Sequence, residues 1–214
     1  MGSELGLSRF LKSLGKEVRV INTGGLARSV AWVAEAGEVE EYAAAAHDAV
    51  IAAADSIVVV DISNWERLGA MHKPVMASKA VRIDLDHHPV ASCPADLSIN
   101  DTSAAAVGEI VHALIGRMGG KMTLPVALPL YVSLLTDTGS FKYSNTTVLT
   151  HALAGEMISL GVKPYEVYTR VYEGAPAGRL KLLGEALGRL TIEPEARLAW
   201  TSLPRAAYAA SGAK

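Results

Sequence analysis

The sequence predicts an α/β fold: a mostly parallel sheet flanked by helices. Three observations lead there. Two strand-like runs, the β-branched Ser56-Ile-Val-Val-Val-Asp61 and the short Val81-Arg-Ile-Asp-Leu-Asp86, each end on an aspartate. Between and around them lie segments of helical length with helical apolar spacing. Strands alternating with helices in this way imply a parallel sheet with covered faces. Finally, 50% of the 214 residues are hydrophobic at a formal net charge of −2, so the chain has enough apolar material for a real core.

Taken in order, Leu5, Leu7, Phe10, Leu11 and Leu14 recur at helical spacing, and Gly15 is a suitable stop. Val18 to Ile21 reads as a strand closed by Asn22-Thr-Gly-Gly25. A helix over about 40–54 leads into the run ending at Asp61, which resembles a central strand buried on both faces. The strand Val81 to Asp86 follows. Thr102 or Ser103 can cap a helix reaching Arg117, closed by Gly119-Gly120.

Thr123-Leu-Pro125 opens another helix, with proline tolerated in its first turn. Leu130, Val132, Leu134 and Leu135 also fit a strand pattern, but the length and the capped start favour a helix. Helices over 146–160 and 164–172 follow, and Pro176 starts an amphipathic connector to Leu190. Residues 191–214 hold one or two strand-like runs, such as Arg197 to Thr201, with no enclosing helix. Such a tail cannot bury its own apolar face.

Composition excludes several classes. Half-apolar content at low net charge is the opposite of a disordered chain. The near-neutral balance argues against a broad nucleic-acid surface, though not against a small phosphate-binding cleft. A single cysteine, Cys93, excludes an intrachain disulfide and a Cys-rich zinc site, and fits a reducing compartment. The most apolar stretch, 43–60, is interrupted by His47, Asp48 and Asp55, so no membrane span is expected. Met1 is not followed by a basic region and an apolar run. The expected localisation is cytoplasmic.

Chemistry concentrates at three places beyond strand or helix ends. They are Asp61, the cluster Asp84, Asp86, His87 and His88, and Asp137 in Leu134-Leu-Thr-Asp-Thr-Gly-Ser-Phe141. In open α/β sheets, the carboxyl ends of strands carry the site. Several carboxylates in one cleft repel each other unless cations or protons neutralise them. An Asp/His set without thiolate suits Mn²⁺, Mg²⁺ or Fe²⁺ better than structural zinc. Arg82 precedes the cluster and is a candidate for phosphate contact.

Asp86-His87-His88 is the name-giving motif of the DHH phosphoesterase superfamily, and the resemblance extends further. Val58-Val-Val-Asp61 looks like that family's second motif and Ile83-Asp-Leu-Asp-His-His-Pro89 like its third. Leu135-Thr-Asp-Thr-Gly-Ser-Phe141 with Tyr143-Ser-Asn-Thr-Thr147 looks like its fourth. Order and separations match over about residues 1–190. The spelling resembles most the bacterial branch that degrades very short oligoribonucleotides (nanoRNA) and 3′-phosphoadenosine 5′-phosphate (pAp).

The resemblance implies a Mn²⁺-dependent phosphoesterase using two ions, with Mg²⁺ as an alternative. Asp61 would bridge the ions, and His87 and Asp137 would complete the shell of one. His88 would contact the scissile phosphate, Asp86 would orient a histidine, and Asp84 would be structural. Ser144 and Asn145 would either position substrate or cap the next helix, and the cap is favoured. Implied partners are a short single-stranded oligonucleotide or a nucleotide, with no membrane and no long nucleic acid. A homodimer is compatible with the resemblance.

Two departures stand out. The family's first motif, His-x-x-x-Asp-x-Asp-Gly-x-Gly-Ser, would lie largely before Met1, with Gly2-Ser3 resembling its end (or a cloning scar). No Gly-Gly-Gly-His occurs between Leu190 and Lys214. The expectation is therefore a chain truncated at both ends. Residues 1–175 would form a phosphoesterase domain without its first strand. Residues 176–190 would be a linker helix, and 191–214 the start of a substrate-binding (DHHA1-like) domain. Weak or absent activity is expected, as are exposed apolar patches, poor solubility or self-association. The alternative is a degenerate, non-catalytic module holding one metal or a nucleotide. A dehydrogenase reading fails, because Gly24-Gly25 is too little for a dinucleotide loop.

Overall fold

A computed structural model describes residues 1–89 and 93–212. It divides the chain into two units, Met1–Tyr168 and Thr169–Lys214.

In the first unit, helix α1 (Gly2–Ser13) buries Leu5, Leu7 and Phe10. It ends as expected at Gly15, which takes φ 76°, while the Lys16 N–H returns to Leu11 O at 3.1 Å. Strand β1 (Val20–Asn22) leads through the short helix α2 (Arg28–Ala31) to β2 (Val39–Glu41). β1 and β2 pair in parallel, with Val20 opposite Val39. Residues 39–41 are therefore strand, not the start of the expected helix. That helix, α3 (Ala44–Ala53), begins later.

Strand β3 (Ser56–Val60) follows, then a 3₁₀ segment (Trp65–Met71) running into α4 (His72–Ala77), then β4 (Val81–Asp86) and β5 (Leu97–Asn100). These strands form a parallel sheet in the order β3-β4-β5. β3 thus lies at an edge of the described sheet, and β4 is central. This corrects the expectation for 56–61: only Val59 of that strand is fully buried, while β4 buries Asp84, Leu85 and Asp86 at its end. Ile51, Val59, Trp65, Leu68, Met71 and Val75 form a core on one side of the sheet.

Register positions the site. Val60 lies opposite Leu85, and Asp86 opposite Asn100. Asp61 and the Asp86-His87-His88 sequence therefore leave adjacent parallel strands at the same end.

Helices α5 (Val107–Arg117), α6 (Leu124–Asp137), α7 (Val148–Ser159) and α8 (Pro164–Tyr168) complete this unit. α5 begins at Ala106, without a side-chain cap. Thr102 and Ser103 instead sit in a turn, where the Asp101 carboxylate accepts from the Ser103 N–H and Oγ–H. α7 is capped by Thr147, whose hydroxyl accepts from the Thr150 N–H at 3.2 Å, while Thr150 Oγ1 accepts from the Thr147 N–H. The favoured caps, Ser144 and Asn145, lie three and two residues too early.

Helix α6 is the buried spine of the unit, with Leu130, Val132 and Leu134 almost inaccessible. α1 crosses it at glycines. A Cβ on Gly2 would come within 2.3 Å of Pro129 O. Ser3 Oγ and Ser133 Oγ are hydrogen-bonded at 2.8 Å beside that crossing.

The second unit starts with a single π-turn (Thr169–Glu173) and α9 (Ala177–Gly188). An antiparallel pair, β6 (Thr191–Glu193) and β7 (Leu198–Trp200), follows. It ends in α10 (Arg205–Ser211), a helix the sequence reading did not expect. α9 leaves Leu180, Leu183 and Leu187 exposed. No helix among the described residues is long and apolar enough to cross a membrane.

Candidate metal centre

Asp61 follows β3 directly and adopts φ 64°, in the left-handed region that disfavours side chains. Its N–H is held by Leu85 O at 2.9 Å, so the turn is pinned to β4. Such a conformation costs of order 1–3 kcal/mol and persists only where its surroundings enforce it.

The turn after β4 is organised by one buried oxygen. Asp86 Oδ1 accepts from the His87 N–H at 2.7 Å, the His88 N–H at 3.0 Å and His88 Nδ1 at 2.7 Å. Asn100 Nδ2 donates to His88 O at 3.0 Å, securing the turn from β5. Asp84, one pleat earlier, is also buried, but its oxygens accept from Trp65 Nε1 and Ser98 Oγ. It is spent on packing.

Ligand atoms of Asp61, His87 and His88 all lie within 4.8 Å of one another. His87 Nε2 is 3.6 Å from Asp61 Oδ1, and His88 Nδ1 is 3.8 Å from the same oxygen. The two histidines differ in what is left to them. His87 Nδ1 faces Ala104 O at 3.1 Å, which places its hydrogen there and leaves Nε2 without one, its lone pair free for a metal ion. His88 gives its Nδ1 hydrogen to Asp86, so its remaining ring nitrogen is Nε2, on a half-exposed side chain. Proximity alone would make both histidines ligands. Hydrogen bonding favours His87.

Asp137 ends α6 and lies outside that close triple, but it belongs to the same electrostatic site. Burial, then the neighbouring Asp61 charge, push its carboxyl up to about 6, against a smaller pull from His87. Burial likewise raises Asp61, against the pull of the positively charged N-terminus, His87 and His88. Asp137 Oδ2 is buried without a hydrogen-bond partner, and so is Asp86 Oδ2. Two desolvated carboxylates, an orphaned oxygen and a bare imidazole nitrogen are what a hard divalent cation would satisfy. The residues fit such an ion.

The loop after Asp137 is unusual. Gly139, Ser140 and Phe141 take φ of 54°, 63° and 64° in succession. Thr138, fully buried, holds this turn by donating to Leu134 O and accepting from the Phe141 N–H. A side chain at Gly139 would be strained at its φ of 54° and would push aside the exposed Tyr143 ring, 2.4 Å from where its Cβ would be. Asn145 Nδ2 donates to both Ala105 O and Asp137 O at 3.1 Å, tying this loop to the start of α5.

Arg82, a candidate phosphate contact, is instead paired with Asp96 at 3.0 Å. The sequence reading did not single out Ala104, Ala105 or Glu109. Glu109 Oε1 accepts from Thr150 Oγ1 at 2.6 Å and its Oε2 from the Ala105 N–H at 3.1 Å. Its one signal was an acid among Val107, Ile110 and Val111 on a helix that must be buried.

No family model matches the chain. It is 30% identical to the bifunctional oligoribonuclease and PAP phosphatase NrnA of Thermus thermophilus over 98% of its own length and 60% of that protein's. It is also 30% identical to the Bacillus subtilis protein of the same name, over 80% of this chain and 52% of that one. The chain thus spans little more than half the length of these relatives. Among solved structures, an exopolyphosphatase-related protein from Bacteroides fragilis superposes with a TM-score of 0.94 at 27% identity, over 99% of this chain and 63% of that one. A putative family II inorganic pyrophosphatase from Methanococcus jannaschii shares the fold, with a TM-score of 0.59 at 17% identity over 89% of this chain and 63% of that one.

Proposed function

We propose that this chain, a homologue of the bifunctional oligoribonuclease and PAP phosphatases of the DHH family, is a metal-dependent phosphoesterase for short oligoribonucleotides, dinucleotides or pAp. The observation that carries this reading is the meeting of Asp61, His87 and His88 at the ends of two parallel strands, beside the desolvated Asp137 carboxyl.

In this reading Asp61, His87 and Asp137 would hold Mn²⁺, with Mg²⁺ as the alternative. An ion held there would supply an activated water and neutralise phosphoryl oxygens. The chain's own residues do the rest. Asp61 orients its carboxylate by the enforced left-handed turn. His87 offers Nε2 because Ala104 O holds the opposite hydrogen. His88, braced by Asp86, presents Nε2 as a hydrogen-bond donor to the phosphate when protonated, which favours the charge that develops in the transition state. Residues 1–175 carry this centre, 176–190 link it onward, and 191–214 begin the part that holds the nucleotide.

A second reading has its own support. Among the described residues one close donor triple is present, enough for one ion. The chain would then bind a metal or a nucleotide phosphate without turnover, or with weak turnover. Mn²⁺-dependent hydrolysis of pAp and of a dinucleotide separates the two. Slow turnover that is lost in Asp61→Asn and His88→Ala supports the esterase. Saturable Mn²⁺ binding without any turnover supports the binding module.

A further inference from the structure

The Ala104–Ala105 peptide group is held from both sides. Its carbonyl faces His87 Nδ1 at 3.1 Å, and its N–H donates to Glu109 Oε2 at 3.1 Å. Glu109 is itself 6% exposed, and its other oxygen accepts from the fully buried Thr150 hydroxyl. Both carboxylate oxygens are therefore committed, one to the rigid capped start of α7 and one to this peptide. The next carbonyl, Ala105 O, accepts from Asn145, which also holds Asp137 O.

We propose that Glu109 is a positioning residue for the metal centre, acting through the Ala104–Ala105 peptide to hold His87 with its hydrogen on Nδ1 and Nε2 bare. The physical route is short. An N–H bonded to a carboxylate polarises its peptide group, and the carbonyl at the other end becomes a stronger acceptor. A stronger acceptor at Nδ1 fixes the tautomer and raises the donor strength of Nε2. Metal-bound histidines usually receive this support directly from a carboxylate or a carbonyl. Here a buried carboxylate delivers it through one peptide plane. The same anchoring keeps Ala105 O in place for Asn145, and so couples the His87 turn to the Asp137 loop.

The inference rests on His87 being a ligand, and its test has a readout that does not. Nitrogen-15 spectra of histidine-labelled, metal-free chain, taken at alkaline pH, report the His87 tautomer. His87→Ala identifies the signal. The parent chain should show His87 almost wholly as the Nδ1–H form. Glu109→Gln, which keeps the shape but removes the charge, should raise the Nε2–H form several-fold, and Glu109→Leu should raise it further. Calorimetric Mn²⁺ affinity should fall about tenfold in step. Thr150→Val removes the other partner of Glu109 and should lower the Tm without moving the tautomer. A folded Glu109→Gln chain with the parent tautomer overturns the proposal, whether or not Glu109→Leu folds. A shifted tautomer with unchanged Mn²⁺ affinity upholds the positioning of His87 and overturns its role as a ligand.

Discussion

The Nδ1 of His88 lies 2.7 Å from Asp86 Oδ1, an oxygen that also receives the backbone N–H groups of both histidines. One buried carboxylate thus sets the turn and the ring together. Asp86→Ala should orphan three donors and cost about 2–4 kcal/mol of stability. Asp86→Asn keeps an acceptor oxygen and should fold more stably than the alanine variant. In any assay where the chain turns over, Asp86→Asn should lower kcat about 10–100-fold with a smaller change in KM. Thermal melts and steady-state kinetics check both.

Asp61 holds its left-handed backbone at a cost that glycine would not incur. Its carboxyl is also raised by burial, so the metal-free fold gains nothing from the charge. Asp61→Gly should therefore leave the metal-free chain equally stable, or more stable by about 1 kcal/mol. It should abolish Mn²⁺ binding. A residue whose removal stabilises the fold and destroys a binding event is held there for that event.

Asp137 gives the pH dependence. Its folded value of about 6 lies above the ordinary 3.8, so between these values the folded state holds a proton that the unfolded state has released. Stability from this group is present below about 4 and is lost as pH rises to about 6, a fall of order 2–3 kcal/mol. Asp137→Asn should flatten that fall in urea titrations taken across the interval. Added Mn²⁺ should restore stability to the parent above pH 6 and lose its effect below, since it needs the ionised carboxylate.

The α1–α6 crossing leaves no room for a side chain at Gly2. A methyl on Gly2 meets the Pro129 carbonyl, which is backbone and cannot swing away. Gly2→Ala should lower stability by about 1–3 kcal/mol. Thr147→Ala, which breaks the reciprocal cap of α7, should cost about 1 kcal/mol. Neither variant should change Mn²⁺ affinity by more than a few-fold.

What was legible in the sequence follows from range. The runs ending at Asp61 and Asp86 and the helix opening at Thr123-Leu-Pro125 carry their signal in adjacent residues, and they lie where expected. β2 was missed because Val39-Glu-Glu41 has no strand character of its own, and only its parallel pairing with Val20–Asn22 makes it one. β5 is four residues at a sheet edge, too short for its alternation to register. The start of α5 was misplaced because Ala106 carries no capping side chain. At the site, the Asp-His-His motif could be read directly, whereas the hydrogen bonds that give each histidine a different free nitrogen could not. Those depend on Ala104, a carbonyl any residue would supply, and on Glu109, whose partners are brought to it by the packing of α5 against its neighbours.

Calorimetric titration of the 214-residue chain with Mn²⁺, beside His87→Ala and Asp137→Asn, tests the metal centre most directly. The expected result is saturable binding of one ion, weakened at least tenfold in each variant. Binding that is absent from the folded parent chain, or equally strong in His87→Ala, would contradict it.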